Sequence, residues 1–161
     1  MSAAEILSLL EARGWSLALA ESLTGGLLAD AFVGVPGASK VLRGSVVAYA
    51  TVAKSDLLGV DQELLAKAGA VDPAVALEMA AGAAKVFKAE VALSATGVAG
   101  PDTQDGVAVG TVFIGVLTPS GSEVVALSLK GDREEIRAGA VACALNALQR
   151  ALSGDSQEFR A

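Results

Sequence analysis

The chain has 161 residues, 53% of them hydrophobic but only 4% aromatic, so one domain with a core built from Ala, Val, Leu and Gly is expected. The net charge is −6 with no basic block, which argues against a nucleic-acid partner, and the single cysteine, Cys143, excludes an intramolecular disulfide and a multi-cysteine metal centre. Histidine is absent, which excludes a Ser-His-Asp triad, a histidine base and His-ligated zinc, so any acid–base chemistry falls to other groups.

Taken in chain order, Ile6, Leu7, Leu9 and Leu10 predict an amphipathic first helix, capped by Ser2 and ended near Gly14. "WSLALA" is a short apolar run of strand length, and "GGLLADAFVGVPG" reads as a helix opened by two glycines. "KVLRGSVVAYA" is rich in β-formers. "AKSDLLGV" predicts a short helix closed by Gly59, and "DQELLAKAGAV" another with Asp61 as N-cap. The clearest helix is "DPAVALEMAAGAAKVFKA", where Asp72 caps, Pro73 opens, and Ala76, Met79, Ala80 and Ala83 form a small-residue face. "EVALSATGV" predicts a buried strand, "AGPDTQDGVAVG" a loop, and "TVFIGVLTPSGSEVVALSLK" a hairpin around "TPSGS". The last helix starts at Asp132 and carries Cys143, expected as a buried structural thiol.

No linker or repeat interrupts this order. We expect an α/β fold, a single-domain three-layer α/β/α sandwich with a mixed, mostly parallel central sheet, over residues 1–152, with a polar, frayed tail at 153–161. The N-terminus lacks the basic and apolar regions of a signal peptide, and no run of some 20 apolar residues suits a membrane. A cytoplasmic protein without a membrane partner is expected. The low charged fraction, 19%, points to a homo-oligomer.

Polar residues break the apolar pattern in four places. In "ALAESLTGGLLAD", Glu21, Ser22 and Thr24 sit at a strand-to-helix turn, where free N–H groups could hold an anion and Gly25 and Gly26 leave room for a ligand. The bland alternative is a hydroxyl N-cap. In "AYATVAKSD", Tyr49 comes near a strand end and Lys54 follows; Ser–Lys pairs activate a hydroxyl without histidine, although most lysines are surface residues and Ser55 or Asp56 could cap the helix. "SATGVAGPD" ends a second buried strand with Ser94, Thr96, Gly97 and Gly100; two such strand ends commonly face one crevice, while glycines serve tight turns equally well. Arg133 and Arg137 share a helix face, and either could reach a phosphate or carboxylate or pair with Glu134.

Five segments together resemble one family: "ALAESLTGGLLA", "GSVVAYATVAKSDLLGV", "GAVDPAVALEMAAGA", "LSATGVAGPDTQDGVAVGTVFIG" and "KGDREEIRAGAVACALNAL" are similar to the C-terminal domain of the competence/damage-inducible protein CinA. The resemblance runs from about Ala4 to Leu152, and the ordered pair A-E-S-x-T-G-G and T-G-x-A-G-P carries most of its specificity. Free-standing members of that family are nicotinamide-nucleotide amidohydrolases. The resemblance therefore implies hydrolysis of the carboxamide of nicotinamide mononucleotide to nicotinate mononucleotide and ammonia, in pyridine nucleotide recycling, with no metal and no cofactor. Carried over, Ser22 is the nucleophile and Lys54 its base. Tyr49 would position Lys54 or the amide, and N–H groups around Thr24 and Gly25 would stabilise the oxyanion. Glu21 would hold the ribose hydroxyls or orient a neighbour, and Thr96, the Gly97 to Gly100 loop and Arg137 would hold the phosphate. Thr51 and Val52 depart from an Asn-Glu pair usual before the lysine. The alternative is a non-catalytic nucleotide-binding or competence-related interaction module.

Overall fold

The computed structural model describes residues 2–154; the expected tail falls mostly on 155–161, outside the described residues. Helix α1, Ala3–Arg13, opens on a capping box in which Ser2 and Glu5 satisfy each other's backbone N–H groups, and Gly14 closes it in the left-handed conformation. Strand β1, Leu17–Glu21, is buried along its whole length, as a central parallel strand must be. Helix α2, Leu27–Val33, follows, and a 3-10 turn leads to β2, Leu42–Val47. Three helices come next: α3, Thr51–Leu58, α4, Gln62–Ala68, and α5, Pro73–Phe87. Strands β3, Val91–Gly97, β4, Thr111–Thr118, and β5, Gly121–Ser128, precede α6, Arg133–Ser153, which Asp132 and Glu135 cap reciprocally.

The sheet order is β2-β1-β3-β4-β5. β1 pairs in parallel with both β2 and β3, and β4 runs antiparallel to β3 and β5. Only β4 reverses the common direction, so the sheet is mixed with a parallel centre. Alternation along β1 divides the core. Leu17 and Leu19 pack with α1, α2 and α6, including Ile6, Leu10, Phe32 and Leu148. Ala18 and Ala20 face the other side, with Val75, Met79, Ala80 and Ala83 of α5 and Leu58 of α3. Small residues on that side let α5 lie close to the sheet: a Cβ on Gly115 of β4 would meet the Ala76 carbonyl oxygen at 2.5 Å. Gly82 performs the same service between helices, since a Cβ there would overlap the Leu58 carbonyl at the end of α3.

This topology gathers chain segments at one edge. β1, β2 and β3 all end there, β4 begins there, and β5 delivers the start of α6 to the same edge. Among the described residues, no helix is long and apolar enough to cross a membrane. Two local expectations change. α3 starts at Thr51, so Ser55 and Asp56 lie inside the helix and neither caps it; its N-cap is Ala50, without a side-chain bond. Cys143 is partly exposed rather than buried, because α6 turns Ala140, Ala144 and Ala147 to the sheet.

Candidate active site

Ser22 is the first residue beyond β1. Its N–H donates to the Ala95 carbonyl of β3 at 2.9 Å, which fixes the chain as it leaves the sheet. Its side chain is nearly buried, and its Oγ lies 3.0 Å from Nζ of Lys54. Lys54 sits in the first turn of α3 with its side chain wholly enclosed. Nζ also donates to the Ala48 carbonyl at 2.8 Å and to the Tyr49 carbonyl at 3.5 Å.

Among the described residues, no carboxylate bonds to Lys54. Burial removes water from the ammonium, and this lowers its pKa from 10.5 to about 8. The three acceptors match the three N–H groups of the charged form. Once the amine is neutral, two N–H groups can stay on the carbonyls and the lone pair is left facing the Ser22 hydroxyl. The backbone of residues 48 and 49 thus orients the amine in both states.

Ser22 opens into a cavity of about 440 Å³, walled by Tyr49, Ala50 and Thr51 on one side and by residues 96–104 on the other. Arg133, at the start of α6, stands at its rim. One guanidinium nitrogen donates to the Gly100 carbonyl at 2.6 Å and another to the Tyr49 hydroxyl at 3.0 Å, so Arg133 ties the two walls together. Asp102 is the carboxylate lining this space. Among the described residues, no group of three or more potential metal ligands comes together.

The expected site residues divide into two sets. Ser22, Tyr49, Thr96, Gly97 and Gly100 line the cavity, although the Thr96 hydroxyl is engaged by the Ala70 carbonyl at 2.7 Å and is no donor to a ligand. Glu21, Thr24, Gly25, Gly26, Lys54 and Arg137 do not line it, and Lys54 meets it through Ser22. Glu21 is buried beneath the turn and accepts from the Gly26, Leu28 and Ala29 N–H groups, so the N-terminus of α2 already holds a carboxylate and is closed to a ligand. The Thr24 hydroxyl donates to that same carboxylate at 2.7 Å.

Gly25 and Gly26 serve the turn through their positive φ of 57° and 106°; Gly25 makes room for an Arg137 nitrogen, not for a ligand. The Gly25 N–H returns to the Ser22 carbonyl at 3.1 Å. Arg137 donates to the Leu23 and Thr24 carbonyls at 2.9 and 3.0 Å, clamping the turn from behind. Arg133, its partner four residues earlier, is the one that reaches the cavity. The i,i+4 spacing puts two arginines on one face, and only the approach of α6 to the sheet decides between them.

The class so defined is a three-layer α/β domain with a buried lysine–serine pair at the converging ends of parallel strands. The family model for the CinA C-terminal domain matches residues 1–152, and the chain belongs to that family. It is 48% identical over 149 residues to a CinA-like protein of Frankia casuarinae, covering 92% of this chain and 34% of that protein. The chain therefore spans about a third of the length of that curated relative. A competence-damaged protein (CinA) superfamily structure from Klebsiella pneumoniae superposes with a TM-score of 0.90 at 34% identity, covering 94% of this chain and 96% of that one. The competence/damage inducible protein CihA from Agrobacterium tumefaciens gives 0.88 at 36%, covering 94% and 93%.

Proposed function

We propose that this chain is a serine amidohydrolase that cleaves the carboxamide of nicotinamide mononucleotide. The observation that carries this reading is the 3.0 Å contact between the Ser22 hydroxyl and a fully buried lysine amine, beside a cavity of mononucleotide scale. Ser22 Oγ attacks the amide carbon while Lys54 takes its proton. The tetrahedral oxyanion lies against the N–H of Leu23, which lines the cavity and enters no hydrogen bond among the described residues. The C–N bond then breaks, and Lys54 passes its proton to the departing nitrogen, which leaves as ammonia.

Water attacks the resulting ester. Lys54 removes one proton from the water and returns it to Ser22 Oγ as the acid product leaves and gives its remaining proton to solvent. Arg133 is the cation at the cavity rim and supplies the charge for the 5′-phosphate. Ammonia release from nicotinamide mononucleotide by the wild type, and its loss in Ser22→Ala, is the direct test. Tight binding without ammonia would instead favour a nucleotide-binding module.

A further inference from the structure

Glu21 neither bonds to Lys54 nor lines the cavity, yet its fully buried carboxylate gathers five donors. Oε2 accepts from the Thr24 hydroxyl at 2.7 Å and from the Gly26 and Leu28 N–H groups at 3.0 and 2.9 Å. Oε1 accepts from the Ala29 N–H and the Ser45 hydroxyl, both at 2.9 Å. These donors come from the turn after Ser22, the first turn of α2, and strand β2. No lysine or arginine is among them, so all five bonds come from backbone N–H and hydroxyl donors.

A second link runs through the main chain of the same residue. The Glu21 carbonyl accepts from the Ala48 N–H at 2.8 Å, and the Ala48 carbonyl accepts from Lys54 Nζ at 2.8 Å. One residue is thus bonded to the turn that carries Ser22 and to the peptide that orients Lys54. It also engages the Gly26 N–H, while the N–H of Leu23, in the same turn and lining the cavity, enters no hydrogen bond among the described residues.

We propose that Glu21 is the positioning residue that holds Ser22 and the Leu23 amide in register with Lys54. This rests on the Ser22 nucleophile reading above. Glu21→Gln keeps the shape but replaces one acceptor by an NH2 group, which must face an N–H donor at either oxygen position. The turn shifts, and the reacting geometry shifts with it.

The test measures kcat and KM for ammonia release from nicotinamide mononucleotide, together with the rate at which a fluorophosphonate labels Ser22. In folded Glu21→Gln, kcat is expected to fall about 100-fold with KM within about threefold, and labelling to slow in parallel. A folded Glu21→Gln with kcat and labelling within threefold of wild type overturns the proposal, because a purely structural residue would cost stability alone. Should that variant not fold, Thr24→Val decides: it removes one donor to Glu21 and is expected to lower kcat about tenfold at unchanged KM, and an unchanged kcat overturns the proposal. If the wild type labels but releases no ammonia, the amidohydrolase reading fails, and the labelling ratio alone judges Glu21. A wild type that does neither overturns both.

Discussion

Lys54 permits a quantitative test, because burial sets its pKa at about 8 while an exposed lysine titrates at 10.5. If neutral Lys54 is the base, kcat/KM follows its deprotonated fraction, about 0.09 at pH 7 and about 0.9 at pH 9. A rise of about tenfold across that interval, followed by a plateau, is expected. A base at the ordinary value would give about a hundredfold rise with no plateau. The assay is initial ammonia release well below KM, run from pH 7 upward so that the substrate phosphate, which titrates near 6, stays ionised.

A flat profile, or a slope still tenfold per unit at pH 9.5, would refute the assignment. Lys54→Arg should be inactive throughout, since a guanidinium cannot be deprotonated. Stability carries the same signature. Below about pH 8 the lysine is protonated in both folded and unfolded chains; between 8 and 10.5 the unfolded chain binds more protons, so stability rises with pH. The full gain is on the order of 3 kcal/mol, measured as the difference between wild type and Lys54→Met in urea at pH 7 and above 10.

Three other substitutions probe the remaining parts. Ser22→Ala should reduce turnover at least about 1,000-fold while calorimetry still detects substrate binding and the melting temperature stays within a few degrees. Arg133→Ala removes the rim cation and the tie between Gly100 and Tyr49 but leaves the partners of Lys54 intact; KM should rise about tenfold with kcat changed far less, read from initial rates. Gly82→Ala drives a methyl group into the Leu58 carbonyl and should cost about 1–3 kcal/mol in chemical denaturation, where a merely permissive helix glycine would gain stability instead.

Much of the fold is present in local chemistry. Ser2, Asp61, Asp72 and Asp132 cap helices where a short polar side chain precedes an apolar helical run, and Gly14 and Gly59 end helices in the left-handed region. Such signals act over a few residues, so a single chain displays them. A chain without histidine has few bases to offer a serine, which by itself directs attention to lysine. The Ser22 and Lys54 motifs are visible as polar breaks in apolar runs.

Tertiary structure alone decided what each polar group does. Glu21 is one residue from Ser22 in sequence, yet it points under the turn, because the N–H groups of α2 and the Ser45 hydroxyl of β2 converge there. Arg133 and Arg137 look equivalent along the chain, but the approach of α6 to the sheet sends one to the cavity and the other to the back of the turn. The lowered pKa of Lys54 likewise has no local signature. It arises because segments distant in sequence close over the amine and exclude water, a property that exists only once the chain has folded.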